Sequence, residues 1–141
     1  MKQHVLITGA TRGIGLALVQ QFLNNGFAVT GAARSAENSD LQHSDLKLIQ
    51  LDLSKAESIE RAVQDLRATG THFDILINNA GVGPDLDSSA PDINSYELTF
   101  AVNTQGTVFF TEAMLPLMKK GAKIINISSK MGSVGLCTGT D

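Results

Sequence analysis

The sequence predicts an α/β protein built on a doubly wound parallel sheet. Three observations carry that prediction. Short apolar runs alternate with longer amphipathic segments along the 141 residues. The runs hold few polar residues, which implies burial on both faces, as in a parallel sheet covered by helices on each side. A glycine cluster, "TGATRGIG", separates the first apolar run from the first amphipathic segment. Such a strand-to-helix turn leaves main-chain amides free.

Taken in order, Val5-Leu6-Ile7 reads as a buried strand. From Ile14 the apolar positions Ile14, Ala17, Leu18, Phe22 and Leu23 recur at helical spacing. Asn25-Gly26 stops that helix, because glycine tolerates the left-handed backbone of a C-terminal cap. Phe27 to Ala33 is a second strand, Arg34 to Asp45 a polar loop, and Leu46 to Leu51 a third strand. Ser54-Lys55-Ala56-Glu57 has the spacing of a capping box, and Ile59, Ala62, Val63 and Leu66 line one face of the helix that follows. "ILIN", within Asp74 to Asn78, is a fourth strand, and Pro84 to Pro91 is a turn-rich connection. Ser95 to Met118 reads as mostly helical with a break near Asn103, and Lys123 to Ser128, "KIINIS", as a fifth strand. Right-handed crossovers place the strands in the order 3-2-1-4-5, a Rossmann-type sheet. Ligands of such sheets bind beyond the carboxyl ends of the strands, at the switch between strands 1 and 4. Each motif below sits at one of those ends.

Composition narrows the partners. A hydrophobic content of 43% with 18% charged residues suits a soluble globular core, and residues 1–141 are expected to form one nucleotide-binding domain. The net charge is −3, with no cluster of Lys and Arg beyond Lys119-Lys120, so a nucleic-acid partner is not expected. Cys137 is the only cysteine and fits a reducing compartment. No apolar stretch approaches the roughly 20 residues of a membrane span, and the N-terminus lacks the pattern of a signal peptide. A cytoplasmic protein without a membrane partner is therefore expected.

The glycine loop offers Gly9, Thr11, Arg12, Gly13, Ile14 and Gly15 as candidate contacts for a phosphate. Gly9 permits a tight turn, Gly13 lets a pyrophosphate approach the backbone, and Gly15 lets the helix pack closely on the strand. The helix N-terminus adds unpaired N–H groups and the positive end of a dipole. A glycine turn without a ligand is the alternative. No Gly-Lys-Ser/Thr follows, which excludes a Walker loop. At the end of strand 2, where an NAD site carries an acid for the ribose 2′-hydroxyl, the sequence has Ala32-Ala33-Arg34. A guanidinium can grip a 2′-phosphate that a carboxylate would repel. With Arg12 as a second cation, NADP(H) is expected over NAD(H), unless Arg34 is a solvated loop charge. Asp52-Leu53 after strand 3 puts a carboxylate near the adenine edge, where it can accept from the exocyclic amine or instead cap the next helix. "NNAG" ends strand 4. The small residues Ala80 and Gly81 would let a ribose or nicotinamide lie against the backbone, and amides such as that of Asn79 can tie strands together. No metal site is expected.

These motifs, with Asn103 in "FAVNTQG" and with "NISSKMGS", stand in the order and spacing of the short-chain dehydrogenase/reductases, which the whole chain resembles. "ISSKMGS" further resembles the carbonyl-reductase-like subgroup that includes the C-factor and sniffer-type proteins. The resemblance implies hydride transfer between NAD(P) and a small-molecule carbonyl or alcohol. It implies that a serine after strand 5 hydrogen-bonds the substrate oxygen. The family's Ser-x-x-Gly spacing selects Ser129, with Gly132 three residues on, and Ser128 is the runner-up. It implies that Asn103 helps hold a proton-relay water; capping of a kinked helix is the plainer reading. A homo-oligomer is expected of the complete protein.

The family's acid/base is a tyrosine in Tyr-x-x-x-Lys beyond the serine. The sole tyrosine here is Tyr96, with Phe100 four residues later. Lys130 does not fit the motif, and His4, His43 and His72 lie in no catalytic spacing. The sequence is thus expected to stop before the later strands, to leave strand 5 as an open sheet edge, and to be inactive alone. A nucleotide-binding or signalling module without catalysis is the rival reading. A methyltransferase shares the fold class but lacks the acid at strand 2 and leaves "NNAG" and "NISS" unexplained.

Overall fold

The computed structural model of the chain describes residues 2–35, 41–84, 87, 89–90 and 92–129. Five parallel strands form one sheet in the order β3-β2-β1-β4-β5, as the sequence predicts. The strands are β1 (His4–Thr8), β2 (Ala28–Ala33), β3 (Leu46–Gln50), β4 (Phe73–Asn78) and β5 (Met118–Asn126). Helices α1 (Gly13–Asn24), α2 (Ala56–Ala68), α3 (Ile93–Phe100) and α4 (Thr107–Met114) connect them.

Side-chain alternation along the strands builds two cores. Val5, Ile7, Val29 and Ile77 meet Val19 of α1 on one face of the sheet. Leu6, Ala32 and Leu76 meet Ile59, Ala62, Val63 and Leu66 of α2, and Phe110 and Met114 of α4, on the other. The four apolar residues predicted for α2 are all buried. On α1 the predicted face is rotated. Gly15 and Val19 are buried and Leu18, Phe22 and Leu23 pack partly against the core, but Ala17 is exposed and Ile14 is 63% exposed. Helical periodicity cannot tell a side chain facing the core from one facing an open cleft.

Two further expectations are corrected, and a third, the break near Asn103, takes a definite form. First, Ser54 and Glu57 form no capping box: α2 is capped at Lys55 without a side-chain hydrogen bond, and the Ser54 side chain turns back to Asp52, donating to its Oδ1 at 2.6 Å. Second, the helix break at Asn103 is a π-helical turn over Ala101–Gly106 that joins α3 to α4. Third, β5 begins five residues early, at Met118, and ends at Asn126. Its register against β4 shifts between Phe73 and Ile75, with Gly121 in the left-handed region at φ 80°. Lys119, in that irregular stretch, bonds Asp74 at 2.8 Å, and Asp74 also accepts from the His4 amide at 2.7 Å. This pins β5, β4 and β1 together at the amino ends of the strands. The histidines serve structure: His4 Nε2 lies 2.9 Å from Thr30 Oγ1, His43 Nδ1 accepts from the Asp45 amide, and His72 Nδ1 approaches the Gly70 carbonyl.

The open edge is present among the described residues. Ile124, Ile125 and Ile127 are each about two-fifths exposed, at 41%, 40% and 42%. Lys130, Gly132 and Cys137 lie outside the described residues, as do parts of the loops at 36–40 and 85–91.

Candidate functional site

The carboxyl ends of the strands carry two adjoining cavities. The first, of about 240 Å³, is lined by Gly9, Thr11, Arg12, Arg34, Asp52, Leu53, Ala80 and Gly81, with Leu51, Val82 and Val102 at its base. The second, of about 770 Å³, includes Ile14, Asn79, Ala80, Gly81, Asn103, Ser128 and Ser129. Ala80 and Gly81 border both, so the two form one trough across the switch between β1 and β4.

The trough is built from the glycine loop outward. Ala10 N–H donates to the Ala32 carbonyl at 3.2 Å, which keeps the loop on the end of β2. Gly13, at φ 53°, opens α1, and nothing stands within 4 Å of where a side chain would start. Gly15 is the opposite case: a Cβ there would lie 1.9 Å from the Gly9 carbonyl oxygen and 2.6 Å from Asn79 Nδ2. Only glycine lets the helix start so near the turn. Gly13 and Gly15 line neither cavity; they shape the loop that presents Gly9, Thr11, Arg12 and Ile14.

The "NNAG" segment is a set of struts. Asn79 Nδ2 donates to the Thr8 and Gly9 carbonyls at 3.0 and 3.3 Å, and the Asn79 and Ala80 amides both donate to Thr8 Oγ1 at 3.0 Å. Asn78 is buried and spans to β5 and α4, donating to Asn126 Oδ1 at 2.8 Å and Thr111 Oγ1 at 2.9 Å. Thr8, Thr111 and Asn126 support the site and were given no role from the sequence. Thr8 and Asn126 open the motifs "TGATRGIG" and "NISSKMGS", whose later residues drew the attention, and Thr111 belongs to no motif.

Asn103 does not cap a helix. Its Nδ2 donates to the Val82 carbonyl at 2.7 Å, and its Oδ1 accepts from the Val82 amide at 2.8 Å, so it clamps the chain leaving β4. The π-turn that aims it there also carries Gly106, where a Cβ would meet the Leu53 carbonyl at 2.0 Å. Single π-turns inside helices recur at functional sites, and this one brings Asn103 and Leu53 to the same trough.

Asp52 sits at the outer mouth with Arg34. Its Oδ1 accepts from the Ser54 amide at 3.0 Å and the Ser54 hydroxyl at 2.6 Å, and its own amide donates to Ser58 Oγ at 2.9 Å. Burial pushes its carboxyl up, but the Ser54 hydrogen bonds and the Lys55 and Arg34 charges outweigh that and hold it below the usual carboxylate value. It is therefore an anion at neutral pH. Gln50 donates to the Arg34 carbonyl at 3.2 Å.

The family model described as short chain dehydrogenase matches residues 3–140. The chain belongs to the short-chain dehydrogenase family. It is 35% identical over 131 residues to an uncharacterized oxidoreductase of Schizosaccharomyces pombe, covering 91% of this chain and 45% of that protein. It is 34% identical over 136 residues to the NADP-dependent 3-hydroxy acid dehydrogenase YdfG of Escherichia coli O6:H1, covering 92% and 55%. Among solved structures, it resembles the Sniffer protein of Caenorhabditis elegans with a TM-score of 0.85 and 28% identity over 98% of this chain and 68% of that one. A carbonyl reductase from Pseudomonas aeruginosa PAO1 in complex with NADP gives a TM-score of 0.84 and 31% identity over 95% and 64%. The chain spans about half the length of the curated short-chain dehydrogenases it matches, 45% and 55% for the two given. Among the described residues, no helix is long and apolar enough to cross a membrane.

Proposed function

We propose that this chain is the coenzyme-binding half of an NADP(H)-dependent oxidoreductase that acts on a carbonyl or alcohol. The single observation that carries the reading is the trough itself. A glycine-rich loop at a helix N-terminus opens into a cavity lined by Arg12 and Arg34. The bound coenzyme would supply or accept a hydride at its nicotinamide. Main-chain amides of the Gly9–Gly15 loop would hold the diphosphate. Arg34 and Arg12 would pair with a 2′-phosphate, and the last strand position of β2 carries no acid to oppose it. Asp52 would face the adenine amine, while Ala80 and Gly81 leave the trough floor without bulk. The names of YdfG and of the Pseudomonas structure support NADP over NAD.

At the inner end, Ser129 would donate a hydrogen bond to the substrate oxygen, with Ser128 in the same cavity as its competitor. Asn103 would keep the wall between the cavities in place through Val82. By resemblance to the family, a tyrosine-lysine pair would give that oxygen its proton; these 141 residues carry no Tyr-x-x-x-Lys, and on this reading they would bind coenzyme without turnover. The experiment measures NADPH and NADH binding to this chain, then carbonyl reduction by a protein extended through Tyr-x-x-x-Lys. Tight NADPH binding with activity only in the extended protein fits the reading. An extended protein that binds NADPH yet reduces none of a broad carbonyl panel favours the second reading, a nucleotide-binding interaction module. The exposed isoleucines of β5 and its open edge are the observation behind that alternative.

A further inference from the structure

Ser54 has the residue type of a helix cap but stands one residue before the α2 cap position, Lys55, and is not used as one. The α2 N-terminus is left without a side-chain cap, although serine is among the best capping residues. Instead the Ser54 hydroxyl and amide both turn back to Asp52 Oδ1, at 2.6 and 3.0 Å, and Ser58 Oγ accepts from the Asp52 amide at 2.9 Å. Ser54 thus fixes the carboxylate and Ser58 the backbone that carries it; the Asp52 side chain is 23% exposed and lines the outer cavity. Because Ser54 occupies Oδ1, the other oxygen is left for an incoming donor. Its nearest charged neighbour is Lys55 Nζ, at 3.7 Å, beyond hydrogen-bond length.

We propose that Ser54 is a positioning residue for base recognition: it locks Asp52 so that Oδ2 accepts from the exocyclic amine of the coenzyme's adenine. The inference rests on the coenzyme reading given above and adds to it the residue that makes the carboxylate selective. An unlocked carboxylate can rotate about its side-chain bonds and swing to Lys55 or Arg34, both of which act on it electrostatically. Held in place, it distinguishes a base that donates at that edge from one that accepts there.

The test compares NADPH with its deamino analogue, which carries hypoxanthine and so presents an oxygen where adenine has the amine. Dissociation constants for both are measured with the wild-type protein and with Ser54→Ala and Ser54→Thr. The wild type is expected to favour NADPH by about tenfold or more, the effect of one hydrogen bond to a charged group. Ser54→Ala is expected to bring that ratio near one, and Ser54→Thr, which keeps the hydroxyl, to retain it. A purely structural role would weaken both coenzymes together and leave the ratio intact, which overturns the proposal. A wild-type ratio of one also overturns it, even if Ser54→Ala does not fold, while leaving the coenzyme reading standing. Failure of the wild type to bind either form refutes the coenzyme reading itself, and the proposal with it.

Discussion

Replacing Gly15 with alanine tests the packing that opens the trough. The new Cβ would begin 1.9 Å from the Gly9 oxygen, where real Cβ atoms essentially never come within 3.0 Å. Relief therefore needs a separation of at least 3.0 − 1.9 = 1.1 Å between the helix start and the turn. Two of the three nearest obstructing atoms, O and C of Gly9, are backbone, and the other, Asn79 Nδ2 at 2.6 Å, is a side-chain tip tied to the Thr8 and Gly9 carbonyls. A shift of that size strains the two bonds from Asn79 Nδ2 to the Thr8 and Gly9 carbonyls. Overpacking of this kind costs roughly 1–3 kcal/mol, and each weakened hydrogen bond adds about 1 kcal/mol, so a loss of about 3 kcal/mol is expected. With a urea dependence of about 2 kcal/mol per molar, the unfolding midpoint falls by about 1.5 M. NADPH affinity falls as well, because the displaced turn carries the loop amides. Urea titration followed by circular dichroism reads the first effect and calorimetry the second. A Gly15→Ala protein with an unchanged midpoint and unchanged NADPH affinity would refute the argument.

Other perturbations separate the remaining parts. Arg34→Ala is expected to weaken NADPH binding by about ten- to a hundredfold, the range for one charge-assisted pair, and to leave NADH binding nearly unchanged in the same titration. Asn78→Ala removes two part-buried hydrogen bonds, to Thr111 and Asn126, and is expected to cost about 1–3 kcal/mol in urea unfolding. Asp74 is held below its ordinary carboxyl value of 3.8, first by the Lys119 hydrogen bond and next by the His4 amide. The unfolded chain therefore takes up the proton first as pH falls, and stability present above about pH 4 is lost as pH drops through the lower folded value. Asp74→Asn flattens that acid limb in a series of thermal melts. In the extended enzyme, Ser129→Ala is expected to lower kcat by about a hundredfold, as loss of one oxyanion donor does, while Ser128→Ala changes it far less.

The strand order and the glycine loop were legible because they rest on patterns the chain cannot hide. Buried parallel strands need nearly unbroken apolar runs, and the tight turn before α1 needs glycine at fixed steps. The start of β5 was not legible. Lys119 and Lys120 interrupt the apolar run, and the shift against Phe73 and Ile75 comes from tertiary pairing. Asn103 stood out through the helix break and the family resemblance, yet its partner, Val82, lies 21 residues away, beyond any local rule. The capping-box spacing at Ser54 misled for a related reason: the serine side chain turns back to donate to Asp52, away from the helix amides whose N–H groups it would have to accept from. Ile14 fitted the helical stripe and turned out to line the cleft. The struts around Asn78 were unreadable because three elements have to fold before Thr111 and Asn126 meet it.

The central claim is that main-chain amides of the Gly9–Gly15 loop hold a coenzyme phosphate. Amide chemical shifts of the labelled protein, followed through an NADPH titration, test it most directly. The account predicts saturable shifts centred on Thr11 to Gly15, extending to Arg34, Asp52 and Gly81. Shifts confined to other surfaces, or none at millimolar NADPH, would contradict it.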